Sequence, residues 1–232
     1  MNINSGHILL NNLEKGRPVY SISPFTLLDF PDRTACILWF AGCNMRCGYC
    51  YNPEIVLGKG RLSWIDALDF LQSRVNLLEG VVFSGGECTI HPQVVSFARA
   101  VKQLGFEVKI DTNGSRPDVI HSLIQEGLVD YIALDFKSLP IKFEMITKTR
   151  LFQRFEQSLD LGLRFDGRFE VRTTVHSGQF NEWDLNQMED FLRKKGYDKT
   201  WYLQHFRDDK VILGDLGKSS KSSFSNQLEW RN

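Results

Sequence analysis

Apolar, β-rich runs alternate with amphipathic segments along most of this 232-residue chain, and no other feature narrows its fold so far. Runs at 35–40, 80–83, 107–110, 131–135, 169–175 and 200–206 have the length and the β-branched and aromatic content of strands. Between them, segments 64–78, 92–104, 117–126, 151–161 and 184–195 carry the spacing of amphipathic helices. Boundary signals agree: Ser63 precedes Trp64 with Asp66 three residues on, Pro92 and Pro117 suit first turns, and Gly105, Gly127 and Gly196 stand where helices should stop. Such alternation predicts a parallel sheet with right-handed crossovers. Six strands are too few for a closed eight-fold barrel, which takes about 250 residues, so an open sheet or a partial barrel remains.

The unusual residues fall at one place in this pattern. Cys43–Cys50, Ser84-Gly85-Gly86-Glu87, Asp111-Thr112-Asn113-Gly114, Asp135-Phe136-Lys137 and His176 each follow the carboxyl end of an expected strand. In parallel α/β architectures that edge carries the active site. Elsewhere the sequence excludes rather than assigns. With 28 basic and 28 acidic residues the net charge is zero, so electrostatic binding to nucleic acid or to an anionic membrane is not expected. No apolar run reaches the roughly 20 residues of a membrane span, and the first residues show no secretory signal, so a cytoplasmic protein is expected. Residues 1–22 read as an N-terminal extension, 23–210 as the α/β body and 211–232 as a tail, with the Ser- and Lys-rich stretch 217–226 mobile.

Five cysteines in a chain of this kind do not make a disulfide framework. Cys36 and Cys88 stand alone, whereas Cys43, Cys47 and Cys50 crowd one loop between Gly42 and Gly48. Three thiolates from one loop can hold a cubane iron–sulfur cluster and leave its fourth iron without a protein ligand. A structural zinc site wants four ligands, and the next histidine after the loop, His91, is far along the chain. An electron-transfer cluster would also want four thiolates, so a cluster that binds a small molecule is the reading favoured over zinc.

With this spacing the chain resembles the radical S-adenosylmethionine (SAM) superfamily, whose signature is CxxxCxΦC with Φ aromatic, here Tyr49. Within it the chain is most similar to glycyl-radical-enzyme activases, specifically the activating proteins of anaerobic ribonucleoside-triphosphate reductase. The segments carrying that likeness are Thr26-Leu27-Leu28-Asp29-Phe30-Pro31, Phe83-Ser84-Gly85-Gly86-Glu87, Asp111-Thr112-Asn113-Gly114 and Phe169-Glu170-Val171-Arg172-Thr173-Thr174-Val175-His176, within residues 20–210. The resemblance implies a partial (β/α)6 barrel with mostly parallel strands, one [4Fe–4S] cluster on Cys43, Cys47 and Cys50, and SAM bound to its open iron. It also implies a glycyl-radical partner and an external electron donor such as flavodoxin. Reductive cleavage of SAM would yield a 5′-deoxyadenosyl radical, with no protein side chain acting catalytically beyond the cluster and SAM.

The same resemblance assigns roles to the strand-end residues. Gly85 and Gly86 would let the backbone approach SAM, and Glu87 would accept from its ammonium. The plain alternative is a strand-ending turn with a solvated Glu. The family usually has Pro where this chain has Cys88, which is read either as a small replacement or as an oxidation-sensitive thiol. Asp111, Thr112 and Asp135, with Asn113 beside them, would build a polar or monovalent-cation site, although Asn113-Gly114 is also a common turn pair. Lys137 is a candidate SAM contact or a surface salt-bridge residue. Arg172, Thr174 and His176 alternate along a strand and so share a face, from which Arg172 and His176 could meet SAM or the partner. His176 reads equally as a loop histidine, and Gln204 and His205 are weaker candidates.

Three rivals remain at this stage. One is an activase of a pyruvate formate-lyase-type enzyme. Another is a small radical SAM enzyme acting on a metabolite, similar to 7-carboxy-7-deazaguanine synthase. The third is a non-enzymatic zinc or four-ligand iron–sulfur scaffold, which would show no response to SAM.

Overall fold

The structure, a computed structural model, describes residues 16–207, 209–220 and 230–231. The expected mobile stretch therefore lies outside the described residues from 221 on, as does the expected extension over 1–15. Eight strands follow one another in chain order through one sheet: β1 Val19–Thr26, β2 Ala35–Phe40, β3 Gly80–Gly85, β4 Glu107–Thr112, β5 Tyr131–Asp135, β6 Arg168–Val175, β7 Trp201–His205 and β8 Trp230–Arg231. The helices are α1 Pro53–Leu57, α2 Trp64–Gln72, α3 Val94–Gln103, α4 Pro117–Gln125, α5 Pro140–Thr147, α6 Phe152–Leu163 and α7 Glu182–Lys194. An open, mostly parallel α/β sheet is thus the observed class, as the alternation predicted. The chain divides into two compact units, Met1–Asn44 with Glu54–Thr112 and Asp118–Ile132, and Met45–Pro53 with Asn113–Pro117 and Ala133–Asn232.

In the first unit β2 pairs in parallel with β3, and β3 with β4. Ala35, Cys36, Leu38 and Phe40 are all buried, which is why β2 reads as a continuous apolar run rather than an alternating one. Rings of Phe40, Phe83, Phe97 and Trp64 pack together, the last two 4.8 Å apart between centroids. The sequence reading missed β1, which pairs antiparallel with β2. Its outer half is exposed and it contains Pro24, which sits in the register shift between Ser23 and Thr26, where a strand tolerates a residue without an N–H. Helix α2 opens with the expected capping box of Ser63 and Asp66 but ends at Gln72 rather than at 78. Asn76, at φ 67°, turns the chain out of the helix toward β3.

In the second unit β6, β7 and β8 pair in parallel. Phe136 stacks on Phe155 at 4.9 Å and also meets Phe191 and Trp201, giving this unit its own aromatic core. Helix α7 starts at Glu182, two residues before the expected position, because Asn181 and Asp184 form a capping box. Helix α5 was not legible in the sequence: Phe143 and Ile146 are buried while Ile141 and Met145 are exposed, so its apolar residues do not form one stripe. Gly105, Gly127 and Gly196 all adopt positive φ just beyond their helices, as expected of helix stops. The described start of the tail is tied down, since Gly217, Ser219 and Ser220 hydrogen-bond to His176 and Ser177.

Candidate active site

The residues after β2 and β3 meet in the first unit through backbone. Gly86 N–H donates to the Phe40 carbonyl and Glu87 N–H to the Gly42 carbonyl, both at 2.9 Å. A Cβ on Gly86 would stand 1.9 Å from the Gly42 oxygen and 3.3 Å from Cβ of Cys43. Gly85, at φ 118°, would bring a Cβ to 2.4 Å from the Phe40 nitrogen. The first approach these glycines permit is therefore to the protein's own backbone, where they seat the residue preceding Cys43. His91, which the sequence reading passed over, braces the same stretch with Nε2 3.0 Å from the Ala41 carbonyl. Burial lowers its pKa, so the ring is held neutral and donates there.

Glu87 is not the solvated side chain of the plain reading. It is 1% exposed, and its Oε1 accepts from the Thr89 amide at 3.1 Å, the Thr89 hydroxyl at 2.5 Å and the Thr112 hydroxyl at 2.8 Å. One carboxylate thus joins the ends of β3 and β4. Beside it, Asp111 accepts from the Ser84 hydroxyl at 3.0 Å and forms an ion pair with Lys109, a side chain the sequence reading did not single out. Cys88 is fully buried, with Sγ 3.7 Å from the Asp111 carbonyl. Burial, then the nearby Glu87 and Asp111 charges, push its pKa well up, so it stays a protonated thiol. Full burial is what the reading of Cys88 as a small replacement expects.

The second unit holds the rest of the cysteine loop. Cys50 N–H donates to the Cys47 carbonyl at 3.0 Å, which closes the turn carrying both thiols. Arg46 N–H donates to the Thr147 carbonyl at the end of α5, while Leu213 and Gly214 donate to the carbonyls of Cys50 and Gly48 at 2.8 and 2.9 Å. The segment after β7 therefore runs along the cysteine loop instead of leaving as a tail. Burial pushes the Cys47 thiol pKa up, with Lys137 opposing it. Tyr49 is buried, with Lys137 Nζ 5.8 Å from its ring centroid and its hydroxyl within reach of the Cys47 thiol.

Lys137 is no surface residue. Its ammonium lies 3.2 Å from Asp135 Oδ2, while Arg172 reaches Oδ1 through Nε and Nη2 at 3.1 and 3.0 Å. Burial works to raise the Asp135 pKa, but the Lys137 and Arg172 charges outweigh it and hold the carboxyl below its usual range. For Lys137 burial likewise opposes the charge, and Asp135 foremost overcomes it, keeping the pKa well above the ordinary value. Tyr49, Asp135, Lys137 and Arg172 thus gather within this unit. His176 does other work: Nε2 donates to the Gly217 carbonyl at 2.8 Å, Nδ1 accepts from Gly178 N–H at 3.0 Å, and the ring packs edge-on to Phe206. Asn113 spends Oδ1 on the Ser115 amide in a local turn. His205 stacks on Trp230 at 3.9 Å.

The donor set fits the implied groups. All five cysteines are free thiols, and three of them stand in one loop. Among the described residues no three His, Cys, Asp or Glu side chains converge on one metal-ion position. A cubane does not require that, because each cysteine ligates a different iron. Among the described residues no helix is long and apolar enough to cross a membrane.

Fold and motif together define a class. The chain belongs to the radical SAM superfamily, whose family profile matches residues 37–192. A protein of Methanocaldococcus jannaschii, provisionally named a glycyl-radical enzyme activating enzyme, is 30% identical over 90% of this chain and 93% of its own length. The pyruvate formate-lyase-activating enzyme of Clostridium pasteurianum is also 30% identical, over 51% of this chain and 52% of its own. Among solved structures, Streptococcus suis SuiB bound to S-adenosylmethionine shares the fold with a TM-score of 0.63 at 14% identity, over 77% of this chain and 41% of SuiB.

Proposed function

We propose that the chain is a glycyl-radical-enzyme activase whose partner is an anaerobic ribonucleoside-triphosphate reductase. The activase reading is carried by the likeness to the M. jannaschii protein, which extends over nine-tenths of each chain. The choice of reductase rests on the segments at 26–31, 83–87, 111–114 and 169–176. In this reading Cys43, Cys47 and Cys50 hold a [4Fe–4S] cluster, which with bound SAM supplies a 5′-deoxyadenosyl radical when an electron arrives from a donor such as reduced flavodoxin. Lys137 and Arg172 offer positive charge to the SAM carboxylate, and Asp135 fixes both in place. Glu87 accepts from the ammonium end while anchoring the turn that presents Gly85 and Gly86. Tyr49 lies beside Cys47, and its buried position keeps water from that side of the ligand. The protein works in the cytoplasm, without nucleic acid or membrane.

Incubating the reconstituted protein with SAM, a reductant and the reductase should yield 5′-deoxyadenosine together with a glycyl radical detected by electron paramagnetic resonance. Deuterating the partner glycine at Cα should collapse its doublet to a singlet. The likeness to the C. pasteurianum enzyme favours a second reading, a pyruvate formate-lyase-type partner. A radical formed only on that partner would keep the activase class and replace the reductase.

A further inference from the structure

Lys109 is a buried charge that the proposed chemistry does not use. Its side chain is 2% exposed, and it lies two residues before Asp111 on the same face of β4. Its ammonium pairs with Asp111 Oδ1 and stands 5.3 Å from the ring centroid of Tyr131. Asp111 Oδ2 meanwhile accepts from Ser84. Burying a carboxylate is costly unless hydrogen-bond donors or a cation face it, and Ser84 and Lys109 do so at Asp111. The family resemblance points to a monovalent cation at Asp111, Thr112 and Asp135, but this chain meets the need with its own side chains. Lys109 serves Asp111, and within the other unit Lys137 and Arg172 serve Asp135. The Thr112 hydroxyl donates to Glu87.

We infer that Lys109 is a resident counter-ion that takes the place of an alkali cation at Asp111, so that this protein binds SAM without sodium or potassium. Lys109 is then a positioning residue: it fixes the ionised Asp111 carboxylate against Ser84 and touches no ligand itself. The inference rests on the reading that Asp111 belongs to the SAM site, and it is independent of which glycyl-radical enzyme is the partner.

The test is SAM binding to the cluster-reconstituted protein in sodium, potassium or choline chloride at equal ionic strength, with no partner present. Wild-type affinity should vary by less than about twofold among the three salts. Lys109→Met keeps most of the alkyl stem and removes the charge. It should bind SAM about tenfold more weakly in choline, the scale of one lost charged contact, and recover most of that loss on adding sodium or potassium. Sodium NMR relaxation should report ion binding in Lys109→Met and none in the wild type. Lys109→Arg, which retains the charge, should remain indifferent to the salt. Saturable alkali-ion dependence in the wild type or in Lys109→Arg would overturn the inference even if Lys109→Met does not fold. So would a Lys109→Met protein whose affinity is the same as wild type in all three salts, or one that is weakened without rescue. A purely structural ion pair would lower thermal stability without creating a cation response. A wrong choice of reductase would leave every one of these readings unchanged.

Discussion

Asp111 and Asp135 stand at the carboxyl ends of two successive strands of the sequence, yet the chain treats them differently. Asp111 has one lysine, from its own strand, and a serine hydroxyl; the adjacent Glu87 takes three neutral donors on one oxygen. These carboxylates act first as joints between strand ends. Asp135 instead pairs with two cations, Lys137 and Arg172. The contrast separates a region that orders loops from one that presents positive charge, and only the second suits a ligand carboxylate.

The largest effect that can break this comparison comes from the cysteines, because the proposed cluster needs Cys43, Cys47 and Cys50 together. Anaerobic reconstitution should give about four irons per chain in the wild type and close to none after Cys43→Ala, Cys47→Ala or Cys50→Ala. Cys36→Ala should keep the cluster, since Cys36 is buried in β2 and burial pushes its pKa up to about 12. A full cluster without any one of the three would overturn the three-cysteine assignment.

An intermediate effect sharpens the difference between the two carboxylate regions. Lys137→Met should weaken SAM binding by about ten- to a hundredfold, the equivalent of about 1.5–3 kcal/mol for a charged hydrogen bond. Glu87→Ala should weaken SAM binding and also lower folding stability by about 1–3 kcal/mol, because Thr89 and Thr112 lose their shared acceptor. Isothermal titration and urea unfolding measure the two quantities separately. If Glu87→Ala loses stability with no change in SAM affinity, Glu87 is a joint and nothing more.

The smallest effect is a pH dependence. The Asp135 carboxyl titrates below its ordinary value in the folded protein, so its contribution to stability is complete above the unfolded value of about 3.9. That contribution is lost as the pH falls from there through the folded value. The urea midpoint of the wild type should therefore drop on acidification below about pH 4 more steeply than that of Asp135→Asn. Equal slopes would show that the pairing with Lys137 and Arg172 contributes no net stability.

What could be read without coordinates was local along the chain. The capping boxes of Ser63 with Asp66 and Asn181 with Asp184 span three residues, and the first was legible for that reason. β2 and β5 ran as expected because both are buried on two faces and so are apolar throughout. β1 was not legible, since an edge strand that is half exposed and contains a proline has neither an apolar run nor clean alternation. Lys109 was missed for a related reason: a lysine in a strand pattern reads as a solvent-facing residue until burial shows otherwise.

The sequence by itself determined the three-cysteine loop, the alternation of β2 to β7 with most of the helices between them, and the strand ends at which the polar residues cluster. These depend on spacing and on residue type, which the chain carries in one dimension. Tertiary structure alone decided what each polar residue does. Glu87 meets Thr112, Arg172 meets Asp135, Gly86 rests on Gly42 and His176 ties down Gly217, all across 25 to 44 residues of chain. Such contacts form because burial leaves a charge or a hydrogen-bonding group no water to turn to, and its partner is whichever group the fold brings within reach.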